Sequence, residues 1–270
     1  MTGNLGYQAY RSTERSIDAL SRLIENITNV NSLGYKRTKL SFTETLEGEI
    51  MKHESREFSQ GPLRKTGEIF DFALNGPGLF EVELPSGQRA YTRAGRFSLN
   101  NEGELVTAEG YRVIPKVEDM SNPLVTVNKD SKGQLDLNIK VTTPKLLISP
   151  DITPSVQEDG TINGVNPDTG EKTKIGKLNV VVFNNSEGLE SIGRGYFLPT
   201  KSSGQVQDIE AGPDSPTKVK QGYVEYGNVD MATEFMNLAE IRNMLNANFK
   251  ILKVVDKLYE QVHYTISRTA

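Results

Sequence analysis

The sequence predicts an α+β fold: long N- and C-terminal α-helices, forming an axial coiled-coil region, with a central all-β domain. Three observations predict it. Apolar side chains recur at three- and four-residue steps near residues 8–30 and again over residues 230–267. Neither glycine nor proline occurs from Val229 to the last residue, although the chain carries 24 Gly and 12 Pro. Between the two ends, short alternating segments are broken by turn signals about every eight to twelve residues.

The C-terminal segment places Met231, Leu238, Ile241, Leu245, Leu252, Val255, Tyr259, Val262 and Ile266 on one helical stripe, interrupted by Glu234 and Asn248. Asp230 is suited to an N-cap, and Glu234 falls in the first turn, where negative charge suits the helix dipole. A helix over 231–267 would be roughly 55 Å long at 1.5 Å per residue. That length exceeds the expected diameter of the β domain, so much of the stripe must bury against another helix. The N-terminal segment is the predicted partner. Tyr10, Ile17, Leu20, Ile24 and Ile27 share a face with Leu23 beside them, and Arg11, Glu14, Arg15, Asp18, Arg22 and Glu25 occupy the others. Gly3 and Gly6 weaken the first turns, so the start is expected to fray. Two such helices at opposite ends of a chain suit a subunit that polymerises by bundling its termini.

The middle reads as a β-meander. Leu79–Leu84 alternates, with Phe80, Val82 and Leu84 on one face, and turns at Pro85-Ser86-Gly87 into a strand over Ala90–Arg93. Further strands are expected at Phe97–Leu99, Leu105–Thr107, Tyr111–Ile114, about Leu124–Ile148, Lys177–Phe183 and Tyr196–Leu198. Ser149–Lys174 reads as a loop with a hairpin signal at Asn163-Gly164, and Ser202–Pro216 as an exposed connection.

Composition excludes several function classes. With no Cys, and with His53 and His263 as the two His, disulfides and thiolate catalysis are excluded, and a zinc site or His-based triad is not expected. Lys and Arg are dispersed in a chain of net charge -4, which gives no electrostatic case for nucleic acid. No apolar run reaches membrane-span length, and the start MTGNLGYQ is not expected to act as a cleaved signal peptide. Gly193-Arg194-Gly195 lacks the third glycine and following helix of a dinucleotide fingerprint. Asn166–Glu171 is rich in oxygen ligands but lacks calcium-loop spacing and reads as a turn. Glu81 and Glu83 are expected on a solvated strand face, and Arg89, Arg93 and Arg96 in a solvent or inter-subunit charge patch. No catalytic residue, cofactor, metal or small-molecule substrate is expected.

Four ordered blocks carry a resemblance. NITNVNSLGYKR (Asn26–Arg37) resembles the exit motif of bacterial flagellar axial proteins, with its match at Asn26, Asn29, Val30, Asn31, Gly34, Tyr35, Lys36 and Arg37. FSQGPLRKTG (Phe58–Gly67) and the segment Asp71–Val113 are similar to the β-domain signature of rod and hook subunits. KIGKLNVVVFNNSEGLESIGRGYF (Lys174–Phe197) resembles the later strand block of rod proteins, and Gln221–Leu252 their return into the C-terminal helix. Physically, Asn26, Asn29 and Asn31 can end a helix by adopting left-handed backbone or bonding it, and Gly34 permits a φ that other residues resist. Gly222 and Asn228 are expected to do the same on the return. The chain departs from the family at Glu25–Thr28 and Ile241–Leu245. A short Thr38–Phe58 and a loop over Asn163–Thr173 resemble the proximal rod protein, whereas GLESIG (Gly188–Gly193) resembles the distal one.

The resemblance implies a structural subunit of the flagellar basal-body rod, assembled through its terminal helices into a hollow tube that transmits torque and encloses the export channel. A hook subunit, or a β-rich cell-wall glycan-binding or hydrolytic module, is the alternative. Implied partners are copies of the chain, other rod and hook subunits, the surrounding basal-body rings and the export apparatus, in the cell envelope. The expected organisation is an N-terminal axial helix and exit motif over 1–37, an extended connector over 38–70, a central β domain over 71–220 with a loop at about 149–174, and a C-terminal return and axial helix over 221–270. Ile17, Leu20, Ile24, Ile27, Leu238, Ile241, Leu245, Leu252, Val255, Tyr259 and Val262 are the expected assembly residues.

Overall fold

The computed structural model describes residues 2–44, 50–116, 146–148, 153–165 and 172–269. The chain divides into two compact units. The first comprises Met1–Asn31, Arg37–Glu57 and Val229–Ala270, and the second Ser32–Lys36 and Phe58–Asn228. Terminal helices and a β-rich middle make the fold α+β.

In the first unit, helix α1 (Thr2–Thr28) packs along helix α2 (Met231–Thr269). Helix α1 starts earlier than its glycines suggest. Gly6 lies where the helices approach closely: a Cβ there would sit 3.3 Å from Val255 Cγ1. Its lack of a side chain lets α2 come near, and that packing offsets its poor helix propensity. At the start of α2, Asp230 accepts hydrogen bonds from the Ala232 N–H (3.2 Å) and the Thr233 hydroxyl (2.6 Å). These bonds hold its carboxyl below the usual carboxylate range.

The stretch expected as an extended connector opens with an antiparallel hairpin of strands Thr38–Glu44 and Ile50–Arg56. Ion pairs tie the hairpin to α1, from Lys52 to Asp18 (3.0 Å) and from Arg22 to Glu54 (2.9 Å). Both pairs are exposed, so solvent screening leaves them weak.

Among the described residues, the second unit is built on an antiparallel nine-stranded sheet. Its main path runs Glu190–Gly193, Tyr196–Leu198, Arg89–Thr92, Leu79–Glu83, Arg112–Val113, Leu105–Thr107 and Phe97–Leu99, and Val180–Phe183 pairs both with Leu79–Glu83 and with Val206–Ile209. Phe72, Leu74, Phe80, Val82, Phe97, Leu105, Ile162, Leu178 and Val180 form the main core. Leu79, Tyr91, Val181, Phe183, Leu189 and Phe197 form a second cluster. Two ribbons return the chain: Lys218–Gln221 pairs with Phe72–Asn75, and Tyr223–Glu225 pairs with Leu63–Lys65.

Several expectations are corrected. Leu79–Glu83 is buried on both faces rather than one, because Leu79 serves the second cluster. Glu81 is therefore not solvated: it is 1% exposed, and Arg89 and the Asn179 amide donate to its carboxylate at 2.9 and 2.7 Å. Glu83 is half-buried and pairs with Arg112. Ser202–Pro216 contains a paired strand, Val206–Ile209. Asn163 and Gly164 lie within a strand, Thr161–Val165, beside a register irregularity, while the hairpin turn falls near Asp159-Gly160. The expected strands over Leu124–Ile148 lie outside the described residues except for 146–148, as does Asn166–Glu171.

Candidate functional site

The helix pair has an inner and an outer face. On α1 the inner face is Ala9, Ser16, Leu23 and Asn26, all buried. On α2 it is Glu234, Leu238, Ile241, Leu245, Asn248, Leu252 and Val255, each buried or half-buried. The stripe expected on α2 is thus the intrachain seam as far as Val255, after which Tyr259 and Val262 are exposed. The stripe expected on α1 is not the seam. Ile17 and Ile24 are each 51% exposed, Tyr10 is also exposed, and Leu20 and Ile27 are half-buried. Ala9, Ser16, Leu23 and Asn26 meet α2 instead.

Glu234 and Asn248, which interrupt the apolar row, are bonded across the seam. Asn248 Nδ2 donates to Ser12 Oγ at 2.9 Å. Glu234 is 1% exposed and receives the Arg37 guanidinium at 2.5 Å and the Asn26 amide at 3.4 Å. The same Asn26 side chain clamps the backbone of Thr38, donating to its carbonyl (3.0 Å) and accepting from its N–H (2.9 Å). Asn26 therefore acts through its amide, from within α1.

The asparagines of the exit motif do not supply left-handed backbone; among the described residues Arg194 is the one non-glycine residue with positive φ. Asn29 donates from its amide to Glu25 O at 2.8 Å, and Asn31 is exposed. Gly34 does supply it, at φ 64°, and a Cβ there would lie 2.3 Å from the Ala94 nitrogen. Gly222 has φ 74° and donates to Asp71 O at 2.7 Å, while Asn228 holds Ser59 through its amide.

Next to Gly34, Lys36 enters a buried ionic knot in the second unit. Its Nζ lies 2.8 Å from Glu225 Oε1 and 2.6 Å from Ser59 O. Gly61 N–H donates to the same carboxylate at 2.9 Å, and Arg93 to its other oxygen at 2.5 Å. Arg93 also donates to the carbonyls of Leu74, Gly76 and Gly78. The Lys36 and Glu225 side chains are each 1% exposed and that of Arg93 is 4% exposed. Arg93 is thus not part of a surface charge patch; Arg89 and Arg96 are half-exposed, but each pairs with a buried acid, Glu81 and Asp71. A single carboxylate joins the exit motif, the 59–61 segment, the sheet and the return strand.

A third set of residues was not legible as a site. Phe235, Met236, Met244, Phe249, Ile251, Val254 and Leu258 are exposed apolar side chains on α2 outside the seam row, Phe249 being 49% and Val254 57% exposed. They fall off the row that periodicity selects, so a single-stripe reading passes over them. Among the described residues no group of His, Asp and Glu is arranged to hold a metal ion, and no helix is long and apolar enough to cross a membrane.

Residues 73–164 match the family described as the flagellar hook protein FlgE/F/G D1 domain. The flagellar basal-body rod protein FlgG of Buchnera aphidicola is 29% identical over 88% of this chain and 90% of its own length. FlgG of Bacillus subtilis is 25% identical over 95% and 96%, and the rod protein FlgF of Mesorhizobium japonicum 28% identical over 87% and 84%. The matched domain lies inside the β unit, and the chain is similar over most of its length to flagellar basal-body rod proteins.

Proposed function

We propose that the chain assembles through α1 and α2 into the wall of a hollow axial tube in the basal body, bundling its helices with those of neighbouring copies and of other rod and hook subunits. The tube carries torque and encloses the export channel. The observation that supports this reading is the exposed apolar surface of a helix pair whose seam is already filled. Tyr10, Ile17 and Ile24 on α1, and Phe235, Phe249, Val254 and Leu258 on α2, stand in solvent in the single chain. Large apolar side chains left exposed along both helices suit an interaction surface. Fully burying each large side chain contributes about 1.5–3 kcal/mol, so a few per neighbour suffice to drive association. The reading assigns no catalytic step: the chain's work is mechanical.

Phe249→Asp and Val254→Asp test it. Both positions are exposed, so the dilute chain is expected to keep its helicity by circular dichroism. Concentrated protein is expected to lose self-association in sedimentation, and cells carrying either variant to lack completed rods by electron microscopy. Normal rods and swimming with both variants would overturn the axial role of this face.

A further inference from the structure

The apolar part of the α1–α2 seam defines its own register weakly. The two helices run antiparallel, with Gly6 beside Val255, Ser12 beside Asn248 and Asn26 beside Glu234. On α2, Leu238, Leu245 and Leu252 repeat at steps of seven; on α1, Ala9, Ser16 and Leu23 do the same. Sliding one helix past the other by seven residues superposes each ladder on itself, at a displacement of about 10 Å. Apolar burial therefore separates the native register poorly from its neighbours.

The polar residues do separate them. Glu234 and Asn248 are fourteen residues apart on α2, and their partners Asn26 and Ser12 are fourteen apart on α1. A slide of seven in one direction sets Asn248 against Ala19, Asn26 against Ile241 and Ser12 against Val255. In the other direction it sets Glu234 against Ala19 and Ser12 against Ile241. Either slip buries polar groups on apolar ones and breaks the bonds they make. We infer that the two polar pairs of the seam, Ser12–Asn248 and Asn26–Glu234 with Arg37, are the register-determining residues of the helix pair. They select one seating among several that the apolar seam would accept. A buried polar residue used in this way trades stability for a single seating. The consequence reaches the outer surface: register fixes how far Tyr10, Ile17 and Ile24 lie along the axis from Phe235, Phe249 and Val254. A slipped chain would present the same side chains in the wrong places.

The absence of native Cys makes disulfide trapping in dilute, monomeric full-length chain the direct test. Gly6→Cys with Val255→Cys reports the native register, and Gly6→Cys with Val262→Cys reports a slip of seven. In the parent background the native pair is expected to close in roughly tenfold or greater excess over the slipped pair, given the penalty on unsatisfied buried polar groups. With Ser12→Ala and Asn248→Leu added together, the slipped pair is expected to rise severalfold, with helicity retained and thermal stability equal or higher. Asn26→Leu with Glu234→Leu gives an independent reading from the other end of the seam, and Asn248→Gln is expected to hold the native register. Slipped-pair yields at the parent level in both variants, or no native closure in the parent, would overturn the inference. Because the chain is read as a monomer, the result is independent of whether it builds a tube.

Discussion

Replacing Glu225 with Gln removes the one negative charge between two buried cations. Lys36 lies 2.8 Å from one carboxylate oxygen and Arg93 2.5 Å from the other. A carboxamide offers one acceptor where the carboxylate offers two, and it turns an N–H toward one of the cations. Breaking a buried pair from one side costs about 3–5 kcal/mol, because the remaining charge is left uncompensated, and here two cations are left. Lys36→Met is the informative contrast. It removes one cation and leaves Glu225 bonded to Arg93 and to the Gly61 N–H (2.9 Å), so about 1–3 kcal/mol is expected, chiefly from the Ser59 carbonyl that loses its donor. Glu225→Gln should therefore cost more than Lys36→Met, and the double variant less than the sum of the two. Urea unfolding followed by near-ultraviolet circular dichroism of the tyrosines of the β unit measures the three values. A Glu225→Gln cost within about 1 kcal/mol of zero, or one smaller than that of Lys36→Met, would refute the claim that this carboxylate holds Lys36, Gly61 and Arg93 together.

Two further outcomes follow from the β unit. Burial pushes the Tyr91 phenol up to about 12, and burial together with the hydrogen bond from its hydroxyl to Glu109 raises Tyr196 further, so two of the ten tyrosines should fail to ionise near pH 10 in a spectrophotometric titration. Their folded values lie above the unfolded value, so the stability they contribute is complete below pH 10 and is lost as pH rises through about 12; Tyr91→Phe should lessen that alkaline loss in denaturation experiments. Gly34→Ala places a Cβ 2.3 Å from the Ala94 nitrogen at φ 64°. The left-handed backbone alone costs about 1–2 kcal/mol, and with the clash added the denaturation midpoint should fall clearly, so an unchanged midpoint would show that the 93–95 turn moves freely.

The parts of this fold that were legible in the sequence are those set by local periodicity. Each helix is held by a repeat that recurs within every few residues and by caps that act within one turn, as at Asp230. The meander from Leu79 to Val113 is similarly local, with alternation and turn glycines marking each strand within a residue or two. Val206–Ile209 was hidden because its residues are exposed, and its pairing with Val180–Phe183 is decided by the partner. Glu81 was misplaced for a related reason. Alternation shows which residues face opposite ways, but not whether neighbouring side chains close over the polar face, and here Asn179 and the cross-strand Tyr91 do so.

The candidate site lay beyond such reasoning to a greater degree. Lys36, Arg93 and Glu225 are far apart in the chain, and each alone reads as an ordinary surface charge; only the fold shows that one carboxylate serves both cations. Glu234 and Asn248 offered a signal of a different kind. A single polar residue in an apolar stripe reads as a flaw, but two of them fourteen residues apart stay on the same face of one helix, and Asn26 and Ser12 repeat that spacing on the other. Matched spacing is what a paired seam requires and what an isolated amphipathic helix does not. The interruptions in the apolar row therefore carry information that the row cannot: a ladder of leucines specifies that two helices pair, and its polar rungs specify where.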